Sequence, residues 1–213
     1  MKKGIILAAM AVAATQFAHA QLSINPEAGI NIANMSQKVA GNKITNDSRI
    51  GFKVGAMVDI GVVKGFYIQP GVLYSVKGFQ NSETVLGTTI KSKTSLNYLE
   101  VPLNFAYRYD FDKAGAVFAA VGPYIGIGLN GKDKVEGGPL AGETDIKFGG
   151  DADQLKKIDY GANFSVGYIS PIGIYVRAQY GMGLANLSNV DNVKIKNKVW
   201  GFSLGYTFQL NER

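Results

Sequence analysis

No cysteine occurs among the 213 residues, and the only histidine is His19. The first absence excludes disulfide frameworks and thiolate metal sites. The second removes the usual base from serine-histidine and aspartate-histidine mechanisms once the first twenty residues are gone. Charge is sparse at 18%, and no run of arginine and lysine interleaves with aromatics, so nucleic acid is not an expected partner. No phosphate loop, dinucleotide fingerprint or metal-ligand spacing is present. Asp145, Asp151 and Asp153 lie close together in a polar stretch, but their spacing does not match a calcium loop. The chain is therefore read as non-enzymatic, with no cofactor and no metal.

What is present begins with an address. Met1-Lys2-Lys3 is basic, Ile5 to Ala14 is almost wholly apolar, and Ala18-His19-Ala20 offers small residues before Gln21. This pattern predicts a secretory signal peptide over 1–20, too short in its apolar part to span a bilayer as a helix. Cleavage leaves residues 21–213 and lowers the net charge from +6 to +4, since Lys2 and Lys3 leave.

Beyond residue 20 the apolar residues alternate. Ile50, Phe52, Val54, Ala56, Val58 and Ile60 fall on one face, with Arg49, Gly51, Lys53, Gly55, Met57 and Asp59 on the other. Seven similar segments run over Leu22–Asn34, Phe66–Phe79, Leu96–Tyr109, Val117–Asn130, Ile158–Ile169, Ile174–Asn186 and Lys198–Leu210. Short connections (61–65, 110–116, 170–173) alternate with long polar ones (35–48, 80–95, 131–157, 187–197). Eight strands with short turns at one end and long loops at the other predict an antiparallel up-and-down transmembrane β-barrel. The length is too small for a sixteen-stranded porin. Ten strands would require a hairpin within 131–157.

The two faces decide which side meets lipid. The apolar phase is almost free of charge, whereas the opposite phase carries thirteen glycines, among them Gly29, Gly122, Gly128 and Gly201. Glycine gains nothing on a water-exposed strand, but a narrow eight-stranded lumen needs small residues among large ones. Phe66, Tyr107, Tyr109, Tyr168, Tyr206 and Phe208 gather on the oily face near the short turns, with Tyr74 and Trp200 near the long loops, as interfacial girdles. Pro26, Pro70, Pro102 and Pro123 fall within the strands and are expected to mark bulges or strand ends.

The inward phase holds Glu27, Arg49, Lys53, Asp59, Lys77, Glu100, Arg108 and Arg177. Charges in a narrow lumen must pair or be hydrated. Glu27 is placed at the height of Lys53 and Glu100 near Lys77, while Arg108, Arg177 and Asp59 are placed near the short-turn mouth. This set is the candidate site, read as a structural plug of ion pairs or, alternatively, as a narrow, weakly anion-preferring path.

With this strand order in hand, the chain resembles the porin-like, PorT-type outer-membrane beta-barrel-domain family of small bacterial proteins. The resemblance rests on Tyr98-Leu99-Glu100-Val101-Pro102-Leu103, Ile158-Asp159-Tyr160-Gly161, the run Tyr180-Gly181-Met182-Gly183-Leu184-Ala185-Asn186-Leu187, and Leu204-Gly205-Tyr206-Thr207-Phe208. It implies the outer membrane of a Gram-negative cell envelope, contact with outer-membrane lipid, and help from the barrel-assembly machinery during biogenesis. Family barrels often end on an aromatic that this machinery reads; here Gln209 to Arg213 follow Phe208. The resemblance implies no chemistry. The expected role is structural or interactive, through the long extracellular loops or an envelope protein partner; the alternative is passive transport of ions or small solutes.

Overall fold

A computed structural model describes residues 21–85, 88–137, 139 and 141–210; the signal-peptide expectation lies outside them. Eight long strands follow one another around a ring: β1 (Leu22–Val39), β3 (Asp47–Val63), β4 (Phe66–Val85), β5 (Thr88–Asp110), β6 (Ala116–Glu136), β8 (Ile158–Ile169), β9 (Ile174–Gly183) and β10 (Val193–Tyr206). Each pairs antiparallel with its sequence neighbour in the ring, and β10 closes it against β1, from Glu27↔Gly205 to Val39↔Val193. Three short strands, β2 (Asn42–Ile44), β7 (Gly142–Ile146) and β11 (Phe208–Gln209), decorate its ends.

The alternation sorts the two faces. Ile30, Phe52, Val54, Phe105, Val166, Val176, Phe202 and Leu204 stand exposed on the outer wall, whereas Asn31, Lys53, Ser75, Glu100 and Asp159 are buried within. An antiparallel barrel whose outside is apolar and whose inside is polar is built for lipid. Aromatic pairs mark its rims: Phe66 with Tyr107 at 4.8 Å and Tyr206 with Phe208 at 4.6 Å near the short turns, and Tyr180 with Trp200 at 4.8 Å toward the other end.

The wall is taller on one side than sequence reading indicated. The stretch 80–95, expected as a loop, continues the β4–β5 ladder to Val85↔Thr88. At 23 residues, β5 spans about 75 Å at roughly 3.3 Å per residue, far beyond a bilayer. By contrast β9 has 10 residues and ends at Gly183, short of the expected Asn186. The third long loop does hold a hairpin, with β7 returning beside β6 from Gly131↔Ile146 to Val135↔Gly142, yet β7 pairs with β6 alone and the ring stays at eight.

Three of the four prolines correct the expectation attached to them, and Pro26 lies opposite the end of β10. None causes a register shift; the shifts lie at Ser48/Lys53, Gly61/Val63 and Asn97/Tyr98. Instead the ladders lapse and resume in the same register opposite each proline. Pro70 lies in the β3–β4 gap between Met57↔Gly71 and Ile60↔Ile68, and Pro102 in the β4–β5 gap between Pro70↔Leu103 and Leu73↔Glu100. Pro123 lies in the β5–β6 gap between Pro102↔Tyr124 and Phe105↔Val121. Pro26 lies where pairing passes from β10 to β11, between Glu27↔Gly205 and Ile24↔Phe208. A missing N–H costs local hydrogen bonds, but neighbours paired on both sides of the gap hold the register.

Candidate functional site

Inward residues at matching heights on adjacent strands meet in the lumen, and the charged ones form two clusters. In the first, the Glu27 carboxylate on β1 lies 3.5 Å from Lys53 Nζ on β3 and 3.1 Å from Arg177 Nε on β9. It also accepts hydrogen bonds from the hydroxyls of Tyr175 (3.0 Å) and Ser203 (3.1 Å). Lys53 donates to Gln179 Oε1 at 3.2 Å, and Arg177 to Ser165 Oγ at 3.2 Å. One carboxylate is thus shared by two cations.

The second cluster inverts that ratio. Lys77 on β4 is ion-paired with Glu100 on β5 and lies 3.2 Å from Asp159 Oδ2 on β8. The same Oδ2 accepts from Tyr124 (3.1 Å) and Asn197 (2.9 Å). The Lys77 ammonium sits over the rings of Tyr124 and Tyr98, 4.6 and 5.1 Å from their centroids. The first cluster carries one excess positive formal charge and the second one excess negative, so their three acids and three bases sum to zero.

The remaining sequence candidates lie apart from these clusters. Asp59 accepts a 2.6 Å hydrogen bond from Gln69, and Arg108 contacts the Tyr67 hydroxyl and lies 3.7 Å from Asp110 at the short-turn rim. Together with Arg177 they line a small cavity of about 10 Å³, but the ion pair of Arg177 is with Glu27. Arg49 is half-buried and forms no ion pair among the described residues. Sequence reading left out Asp159, although it shares the parity of the inward Asn163 and Ser165 and is completely buried.

Above the second cluster the lumen is closed by apolar side chains. Met35, Leu96, Tyr98, Ala185 and Leu187 are buried together, with Phe79, Ile146, Phe148, Leu155 and Ile195 packed on them. Phe148 meets Tyr98 edge-on at 5.5 Å and lies across Gly128, where a Cβ would fall 2.5 Å from its ring. Only glycine leaves room for the ring there. The bridge Phe148↔Leu155 folds the segment 147–157 on itself, and Leu155↔Ser188 joins it to the loop between β9 and β10. The Asn189 side-chain amide donates to the carbonyls of Gly149, Asp151 and Gln154 at 3.0 to 3.1 Å.

The family model described as Outer membrane protein beta-barrel domain matches residues 14–189. No curated protein matches the sequence. Among solved structures, the outer membrane protein OprG from Pseudomonas aeruginosa is similar at 10% identity and a TM-score of 0.51, covering 89% of this chain and 96% of that one. Neisserial surface protein A gives 12% identity and a TM-score of 0.47, covering 88% and 97%. The attachment invasion locus protein of Yersinia pestis, in complex with the heparin analogue sucrose octasulfate, gives 15% and 0.40, covering 88% and 99%. The likeness to OprG is one of fold.

Proposed function

The chain belongs to the outer membrane protein beta-barrel domain family, and from that premise we propose that it is a closed, non-enzymatic outer-membrane barrel that works through its extracellular arms. The observation that carries this reading is the double closure of the lumen. Paired charges fill its middle, and the apolar cap around Leu96, Tyr98 and Leu187, all at 0% exposure, fills its outer end. An ion crossing it would have to separate buried pairs and then enter a region that cannot hydrate it. The tall β4–β5 arm and the β6–β7 hairpin beside it instead offer contact surface beyond the membrane for an envelope or extracellular partner.

The sequence motif around Glu100 and Pro102 supports a PorT-type relationship within the family. Assembly would draw on the barrel-assembly machinery. A narrow passive path is the alternative, favoured by buried polar atoms of Asn25, Gln69 and Asn104 that lack protein partners toward the short-turn mouth and would be satisfied by water. Single-barrel recordings in planar bilayers separate the two. The closed barrel gives no steady conductance, and reproducible openings would replace that reading with transport.

A further inference from the structure

The lysines of the two extracellular flanks are treated differently. On the β5–β6–β7 side, three of the four lysines are paired: Lys93 and Lys134 with Glu136 at 3.0 and 3.1 Å and Lys132 with Glu143 at 3.4 Å, while Lys91 forms no ion pair among the described residues. On the β1–β10 side, Lys38, Lys43, Lys194, Lys196 and Lys198 form no ion pair within 4.0 Å among the described residues. Asp47 and Asp191, the acids on the adjoining segments, pair with none of them.

Register brings these five cations onto one surface. Lys38 faces Lys194 across β1–β10 and Lys43 across β1–β2, giving a lateral row of three lysines. Ser36 faces Lys196, and Asn34 faces Lys198. Like charges directly opposite on neighbouring strands repel, so nothing in the fold itself accounts for the arrangement. Parity then fixes the direction of the patch. Lys194, Lys196 and Lys198 share the phase of Trp200, Phe202 and Leu204, and Lys38 that of Ile30 and Ile32, which are the exposed apolar residues of the outer wall. The patch therefore faces outward, continuous with the lipid-facing band. Lys198 stands two residues beyond the girdle residue Trp200 and Lys194 six, about 7 and 20 Å along the strand.

We propose that this lysine patch docks the phosphorylated headgroup of an outer-leaflet lipid, whose acyl chains lie on the apolar wall below. A membrane lipid, rather than a soluble polyanion, is the occupant because the lysines project sideways from the wall above the girdle. Lys38 and Lys43 flank the turn at 40–41, and their register keeps them on that same outward face. The assignment goes beyond the arm-mediated role and holds whether or not the lumen conducts.

The test uses the full folded protein in zwitterionic detergent and bisphosphorylated lipid A as probe, with retained lipid counted by native mass spectrometry. The variant carries Lys38→Gln, Lys194→Gln, Lys196→Gln and Lys198→Gln; a control carries Lys93→Gln and Lys132→Gln on the paired flank. An unboiled gel shift verifies that each is folded. Since one lysine near an anionic membrane surface is worth about a fivefold change in partition, the fourfold variant should retain at least about tenfold less lipid, and the control should match wild type. Retention should also fall with added salt. Equal retention by the variant overturns the proposal, as does equal retention of the same lipid stripped of its phosphates. Displacement of bound lipid A by equimolar inorganic phosphate or a sulfated polysaccharide would mark a site for soluble anions and overturn the lipid assignment.

Discussion

Lys77 Nζ and Asp159 Oδ2 lie 3.2 Å apart on opposite sides of the ring, with side chains 3% and 0% exposed. Because Glu100 also pairs with Lys77, the two acids differ from the base in what their loss leaves behind. Asp159→Asn leaves a neutral Lys77–Glu100 pair and should cost about 1–3 kcal/mol. Lys77→Met leaves two buried carboxylates facing each other and should cost about 3–5 kcal/mol. Urea titration of the heat-modifiable band checks the order; a Lys77→Met barrel as stable as Asp159→Asn would mean that Lys77 does not hold the two acids together.

In the first cluster the shared partner is the acid. Glu27→Ala strands Lys53 and Arg177 together without a counter-charge and should cost about 3–5 kcal/mol. Adding Lys53→Met to Glu27→Ala removes one stranded cation and should recover part of the loss, a non-additivity that a double-mutant cycle measures directly. Simple addition of the two single effects would show that the charges do not act as a cluster.

Strand existence and the sense of the two faces were legible because lipid outside and a packed polar lumen inside impose a period of two on every residue within the membrane. Where that contrast ends, legibility ends. Toward the tips of β4 and β5 both faces carry polar residues, so the stretches 80–85 and 88–95 lack alternation and read as loop although they form a ladder. Asp159 was passed over for a related reason. It stands second in β8, where a strand opening looks like a polar turn, and only its parity with Asn163 gave it away. The apolar cap was not legible at all, since Met35, Leu96, Phe148 and Leu187 come from four separate connections and strand ends. The prolines were visible, but their consequence depends on pairing partners that a single strand does not reveal.

The wall is pinched where glycines face it. A Cβ at Gly29 would fall 2.0 Å from the Phe202 carbonyl oxygen, and one at Gly122 would fall 2.1 Å from that of Leu103. Both obstacles are backbone of the adjoining strand and cannot rotate away. Gly29→Ala and Gly122→Ala should each lower the yield of folded barrel sharply, whereas Gly142→Ala, which meets nothing within 4 Å, should be neutral. Equal yields of unboiled, fast-migrating band would refute the pinch.

The tall arm should respond to acid. Hydrogen bonds from Lys93 and Lys134 hold the Glu136 carboxyl below its ordinary value of 4.5. A carboxyl depressed in the folded state stabilises above the unfolded value, and that contribution is lost as pH falls through the folded one. Amide exchange at the tips of β5 and β6, corrected for intrinsic rates, should therefore quicken below the ordinary carboxylate range, and Glu136→Gln should flatten the response. Because the group is exposed, the effect will be small.

Closure of the outer end rests on a loop held by few bonds, which makes it testable by access. The chain has no cysteine, so Ser75→Cys supplies a single thiol at a site 1% exposed, beside Asn31 in the lumen. A small charged thiol reagent added from the extracellular side should label it slowly, because the cap of Phe148, Leu155 and Leu187 lies above it. Phe148→Ala removes the ring that spans Gly128 and Tyr98, and Asn189→Ala removes the amide that ties Gly149, Asp151 and Gln154 to the loop between β9 and β10. Each should speed labelling by at least about tenfold, equivalent to roughly 1.4 kcal/mol of cap stability, with the barrel itself still heat-modifiable because neither side chain takes part in the strand ladders. If labelling from the short-turn side quickens and extracellular labelling does not, the outer cap is not the barrier, and the paired charges beneath it would carry the seal alone.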